Sequence, residues 1–320
     1  MQTKLVVSSS PFLRDASVST RRLMGDVVIA LIPTALAAIW FFGAPALALM
    51  IVAVAFAVLS ELVYEKITHQ KTTIDDLSAV VTGLLLAFNL PANAPWWMAA
   101  IGSIIAIVLV KQMFGGIGQN FVNPALAARV MLLVSFAQPM THWVLPGQPA
   151  SPDAVTSATP LGMLALEGSG ELPSYWQLFI GMHGGSLGET CIAALLIGGV
   201  FLLLTKVIRP VIPLTYLGAV AVFCFLLGED PLYHLMSGGV VLGAFFMATD
   251  YSTCPITDKG KFIYALGCAV ITVVIRCFGS YPEGVSFSIL LMNLCTPLID
   301  RLCVTRPFGS HLEKKKEEVA

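Results

Sequence analysis

Charge is what this sequence has least of. Asp, Glu, Lys and Arg make up 12% of its 320 residues, about half the ~25% of an ordinary soluble domain. With 57% hydrophobic residues and a mean hydropathy of +0.83, the chain reads as a polytopic membrane protein. Its formal net charge of -1 comes from few charges of either sign, so no basic face is available for nucleic acid. The seven cysteines (Cys191, Cys224, Cys254, Cys268, Cys277, Cys295 and Cys303) include no CxxC pair and nothing at metal-ligand spacing. No metal site is expected, and the thiols read as small hydrophobic packing residues. Ahead of Arg21 and Arg22 there is no apolar core followed by a small-residue cleavage site, so no cleaved signal peptide is expected.

What is present is a series of apolar runs. A span of about 30 Å of hydrocarbon at ~1.5 Å per residue is sought near residues 25–42, 44–64, 76–90, 95–113, 123–137, 188–208, 211–228, 235–249, 261–278 and 284–304. The third, fifth and eighth of these ten runs are short. Lys and Arg collect in alternate loops, and between Arg129 and Lys206 there is neither. By the positive-inside rule, both termini are cytoplasmic and the long interval 138–187 is extracytoplasmic. The expected architecture is therefore all-α: a cytoplasmic segment (1–24), a five-helix half (25–137), the outer loop, a second five-helix half (188–304) and a cytoplasmic tail (305–320). Five helices on each side of the loop place the halves in opposite orientation, the arrangement of an inverted repeat. The third and eighth runs end in the irregular segments 89–93 and 249–255, and interrupted helices at matching positions point to a central site.

Ion translocation would be announced by carboxylates deep in the membrane. Asp26, Glu61, Asp75, Asp76, Glu189 and Asp250 all fall near expected helix ends, which predicts solvated or capping roles and no ion pathway within this chain. Arg276, near the outer end of the ninth run, fits the charge pattern poorly and is expected to snorkel to the interface. Asn293 is expected to form an interhelical hydrogen bond.

The chemistry sits in the outer loop, in Asp153-Ala154-Val155-Thr156-Ser157-Ala158-Thr159-Pro160. Thr159 precedes a proline and is therefore extended; Pro160 suits the first turn of a short helix. Thr159 becomes its N-cap, with a hydroxyl at a helix start where backbone donors favour phosphate. Ser, Thr, Ala and Pro are also ordinary loop residues. A D-x-x-[ST]-[SG]-A-T string nonetheless arises by chance in roughly one chain in a thousand of this length, from average residue usage.

Asp153-x-x-Thr156-Ser157-Ala158-Thr159 resembles the signature by which a flavin transferase attaches FMN to threonine through a phosphodiester. Together with Ser8-Ser9-Ser10-Pro11, the 114–124 segment and Ala248-Thr249-Asp250-Tyr251-Ser252-Thr253-Cys254-Pro255, it gives the chain a resemblance to the RnfD/NqrB family. That family comprises the RnfD component of the Rnf complex, an ion-translocating ferredoxin:NAD oxidoreductase, and more distantly the NqrB component of the sodium-pumping NADH:quinone oxidoreductase. The resemblance implies covalent FMN on Thr159, with Asp153, Thr156, Ser157 and Ala158 as the transferase recognition string. It also implies a non-covalent riboflavin of unplaced site, partner subunits that include a second flavin subunit, and residence in the bacterial inner membrane as an electron-transfer subunit of a sodium- or proton-exporting complex. Phe12 stands where many relatives carry His, and Ser157 where many carry Gly. His142, Trp143, Tyr175, Trp176 and Phe179 are candidates to pack on the flavin ring, although aromatic residues at a membrane interface more often serve as belt anchors. The alternative from another class is an inverted-repeat channel or transporter for a small neutral solute, in which the Thr159 loop is only a cap.

Overall fold

The computed structural model describes residues 19–147, 156–165, 172–279 and 283–304. Asp153, Ser8 to Pro11, Phe12 and the expected cytoplasmic tail lie outside the described residues. Helix α1 (Thr20–Phe42) starts five residues before its apolar run because Ser19 caps it, the hydroxyl accepting from the Arg22 N–H at 3.3 Å. Gly43, at φ +69°, turns α1 directly into α2 (Ala44–Ile67); that left-handed backbone suits glycine. Then come α3 (Ser78–Phe88), α4 (Trp96–Ile104), which continues through a π-turn at Ile105–Lys111 and a 3-10 turn at Gln112–Phe114, and α5 (Pro124–Ser135). Asn123 caps α5, its side chain accepting from Ala125 and Leu126, with Pro124 at the first position, where a missing N–H costs nothing.

The outer region holds α6 (Ala137–Met140), a two-stranded ribbon of β1 (Trp143–Val144) and β2 (Thr156–Ser157), α7 (Pro160–Ala165) and α8 (Tyr175–Ile180). The second half contains α9 (Ile192–Leu204), α10 (Val211–Leu226), α11 (Pro231–Met236), α12 (Val240–Leu242) with a π-turn at Gly243–Met247, α13 (Asp258–Phe278) and α14 (Val285–Leu302). Helices α1, α2, α13, α14 and the α4 run are long and apolar enough to cross a membrane, whereas α3, α5, α9 and α10 are shorter apolar helices. This is an all-α polytopic membrane protein.

Two expected helices are shorter than their apolar runs. Residues 188–191 are not helical, because Leu187 and Gly188 donate to the carbonyls of Leu90 and Phe88 at 3.1 and 2.8 Å, so the segment after α3 and the segment before α9 hold one another. The expected 235–249 helix breaks at Ser237–Gly239, where Gly238 takes φ +67°.

Helix α2 lies on α3 and α4, α10 lies on α13, and the halves meet where α1 packs on α9 and α5 on α14. The ends of the two interrupted helices also meet, with Asn89 Nδ2 3.8 Å from Met247 Sδ. Close approach is made possible by small residues: a Cβ on Gly198 would fall on the Ala30 carbonyl oxygen across the α1–α9 contact.

The carboxylates depart from expectation. Glu61, Glu65 and Glu189 are buried rather than solvated. Glu61 accepts from Lys111 Nζ at 2.6 Å and from Gln112 Nε2 at 2.7 Å. Glu65, one turn further on, accepts the backbone N–H of Thr73 at 3.1 Å. The α4 run ends inward-facing, so Lys111 is also buried, although loop position alone made it look solvated. Asp76 does cap, accepting from the Ser78 N–H at 2.7 Å, and Asp250 gathers Ser252 and Thr253 as a turn-former. Asn293 lies 2.6 Å from the Tyr264 hydroxyl, joining α14 to α13 as expected. Of the cysteines, Cys224, Cys254 and Cys268 are buried, but Cys295 is exposed on α14, so the packing role does not hold for it.

Candidate functional site

Thr159 lies between the ribbon and α7. The ribbon pairs Trp143 with Ser157 and Val144 with Thr156, and beyond β1 the Gly147 N–H donates to the Phe41 carbonyl at 2.9 Å. That contact ties the ribbon to the end of α1. Thr159 thus enters α7 from a pinned strand. Its side chain is 7% exposed and its Oγ accepts the Gly162 N–H at 3.1 Å. The expected N-cap is present, but with a consequence that spacing could not show. One of the first-turn donors expected to face a phosphate is already taken by the threonine itself, and α7 has only six residues.

The threonine is brought to the second half of the molecule through Leu161. That side chain is buried, and its Cδ1 lies 2.8 Å from where a Cβ on Gly238 would sit. Nη2 of Arg276 lies at the same distance, 2.8 Å, from that point. Arg276 therefore does not snorkel. It is 8% exposed, and it donates inward to the carbonyls of His234 at 2.6 Å and Ser237 at 3.0 Å. The turn between α11 and α12 is wrapped around a guanidinium, which is why Gly238 must be left-handed and lack a side chain. Reasoning from sequence missed Arg276 and His234 as site residues; the available signal was the misfit of Arg276 to the loop charge pattern.

The aromatic candidates divide. Tyr175 hydrogen-bonds the Asp230 carboxylate, joining α8 to the start of α11. This contact holds the Asp230 carboxyl below the usual carboxylate range and pushes the Tyr175 phenol up. Trp176 and Phe179 stack with centroids 6.0 Å apart and Trp176 stays 68% exposed, as an interfacial anchor would. His142 is held by Asn93, with Nδ1 2.5 Å from Nδ2, and Trp143 is half-buried in β1. Beside the β-bridge between Pro91 and Ser186, His183 is 2% exposed and burial lowers its pKa. Among the described residues no group of His, Cys, Asp and Glu could hold a metal ion.

A polar cluster lies between the halves. Arg129 donates to Asn89 at 2.9 Å and Ser286 at 2.8 Å, and pairs with Glu283. Further along, a cavity of about 100 Å³, open to solvent, is walled by Leu23 and Val27 of α1, Val81 and Leu85 of α3, and Phe245 and Phe246. Its polar lining comes from two sides, Ser78, Thr82 and Lys111 on one and Asn120, Thr249 and Asp250 among those on the other.

The site thus comprises a buried threonine hydroxyl at a helix start and, reached through Leu161 and Gly238, a guanidinium bound by backbone carbonyls. The class so defined is a helical polytopic membrane protein. Comparison with known proteins carries this further: the model of the NQR2, RnfD, RnfE family matches residues 6–309, and the chain belongs to that family. The D subunit of the sodium-translocating ferredoxin:NAD(+) oxidoreductase complex of Acetobacterium woodii is 50% identical to it over 317 residues, covering 98% of both chains. The D subunit of the proton-translocating ferredoxin:NAD(+) oxidoreductase complex of Clostridium ljungdahlii is 44% identical, covering 95% of this chain and 96% of its own. The D subunit of the ion-translocating oxidoreductase complex of Stutzerimonas stutzeri is 40% identical, over 93% and 94% respectively.

Proposed function

We propose that this chain is the membrane electron-transfer subunit of an ion-translocating ferredoxin:NAD oxidoreductase complex, and that FMN is carried on Thr159 through a phosphodiester. Family membership and near full-length similarity to the corresponding subunits of such complexes support the assignment. The observation that carries the flavin is the D-x-x-T-S-A-T-P string ending on a threonine that the ribbon, α7 and the α11–α12 turn hold in one place. A flavin that passes single electrons at a membrane face would otherwise be diluted, whereas a covalent link makes its local concentration a property of the loop. FMN bound there supplies reversible one- and two-electron chemistry. The chain's residues hold its phosphate, limit water around the attachment point and fix the loop relative to the helices.

Because Thr159 is buried and its Oγ occupied by the Gly162 N–H, a flavin transferase reaches it only when α7 is lifted from the α11–α12 turn. Modification therefore precedes final packing of the outer loop. The recognition residues Asp153, Thr156, Ser157 and Ala158 precede α7 in the chain. Riboflavin bound without a covalent link belongs to the same reading, with no site assigned to it. The partners are the other subunits of the complex, among them a second flavin subunit. The chain resides in the inner membrane with the flavin loop outside, and the complex moves sodium or protons. The test is intact mass and in-gel ultraviolet fluorescence of the denatured chain from a host with the transferase. A fluorescent band with one added FMN that disappears in Thr159→Ala is expected; an unmodified wild-type chain refutes the reading.

A further inference from the structure

A buried guanidinium is costly unless its charge is matched and its donors are used. Arg276 meets neither condition fully. Two of its nitrogens go to the carbonyl oxygens of His234 and Ser237, which supply dipoles but no charge. Its Nε is buried and has no protein partner. No described carboxylate forms an ion pair with it: the four described ion pairs involve Lys111, Arg129, Arg209 and His234. Glu189, whose charge acts on it from further off, is engaged by the Ser186 hydroxyl.

The loop that bears Thr159 poses the complementary problem. It contains no Lys or Arg anywhere between Arg129 and Lys206, so a phosphodiester formed on Thr159 brings a negative charge to a stretch with no cation of its own. The structure brings Leu161, two residues beyond Thr159, and the Arg276 guanidinium to the same glycine: Leu161 Cδ1 and Arg276 Nη2 each lie 2.8 Å from the position a Cβ on Gly238 would take. Arginine, with several donors in a planar fork, is the side chain best suited to phosphate oxygens.

We propose that Arg276 is the positioning residue for the covalent cofactor, its guanidinium reaching past Gly238 to bind the non-bridging oxygens of the phosphodiester on Thr159. The proposal rests on the reading of Thr159 as the attachment site. Arg276 takes no part in electron transfer itself; it fixes the anchor and thereby the reach of the flavin. The left-handed Gly238 is part of the same device, since any side chain there would occupy the space the phosphate oxygens need.

The test is made on the full complex from a host with the flavin transferase. Intact mass of the denatured chain comes first, and a wild-type chain without FMN sinks the attachment reading rather than this one. With FMN present, arginine-15N-labelled wild-type complex is examined by 31P–15N dipolar dephasing. The phosphodiester signal is expected to dephase, and its failure to do so overturns the proposal whether or not any variant folds. In folded, flavinylated Arg276→Gln the dephasing is expected to be lost, the 31P resonance shifted and the flavin emission less anisotropic. Arg276→Lys is expected to restore the 31P position and the anisotropy in large part. Unchanged 31P and anisotropy in Arg276→Gln also overturn it, because a merely structural arginine would leave the phosphate where it was.

Discussion

Replacing Lys111 by Met is the sharpest probe of the buried charge in the first half. Lys111 Nζ is 2.6 Å from Glu61 Oε1 and the two side chains are 4% and 0% exposed. It is also 2.6 Å from the Ser78 hydroxyl, and Gln112 and Thr73 reach the same carboxylate oxygen at 2.7 and 3.3 Å. At an effective dielectric of about 20 the Coulomb attraction at that separation is roughly 6 kcal/mol, most of it offset by the desolvation of both groups. Removing the cation leaves Glu61 stranded with two neutral donors, and stranding one member of a buried pair costs about 3–5 kcal/mol. Lys111→Met should therefore lose that much stability, and Glu61→Gln a comparable amount by stranding the ammonium. The double variant should recover most of it, because a neutral amide and a thioether need no counter-charge; the coupling should exceed about 2 kcal/mol. Unfolding in mixed detergent and dodecyl sulfate micelles, followed by tryptophan fluorescence, measures all four corners of the cycle. Single variants that cost less than about 1 kcal/mol, or an additive double, would refute the argument.

Two further outcomes follow from the same packing. Gly198→Val should push α9 off α1 and cost upwards of about 2 kcal/mol in the same assay, while Gly218→Val, where a Cβ meets nothing within 4 Å, should be near neutral; equal effects would mean that the α1–α9 contact is not tight. Burial lowers the His183 pKa, so the fold favours the neutral ring and the unfolded segment takes up a proton below its ordinary value of about 6.5. Stability around 181–191 is thus full above that value and falls as the pH drops below it. Hydrogen exchange there should accelerate between about pH 6.5 and 5 and lose this pH dependence in His183→Gln.

The ten apolar runs were legible in the sequence because their lengths and the alternation of basic loops report directly on a solvent that cannot hydrogen-bond the backbone. The interrupted third and eighth helices and the Thr159 cap before Pro160 were legible for local reasons, a short apolar stretch and a pre-proline conformation. Burial of Glu61, Glu189 and Lys111 was not. Distance along the chain from a helix end says how far a residue is from a loop, but only the packing of α2, α3 and α4 decides whether water reaches it. Arg276 shows the same division. Its sequence position marked it as a misfit and snorkelling was the default for a long side chain near a helix end. Whether the guanidinium turned outward or inward depended on the α11–α12 turn, whose carbonyls come from residues some forty positions away. The sequence by itself determined the class of solvent, the number of apolar runs and the threonine cap before Pro160, since each follows from composition or nearest neighbours. The tertiary structure alone decided which charges are buried and which carbonyls receive the Arg276 guanidinium, because both depend on contacts between segments that the chain keeps far apart.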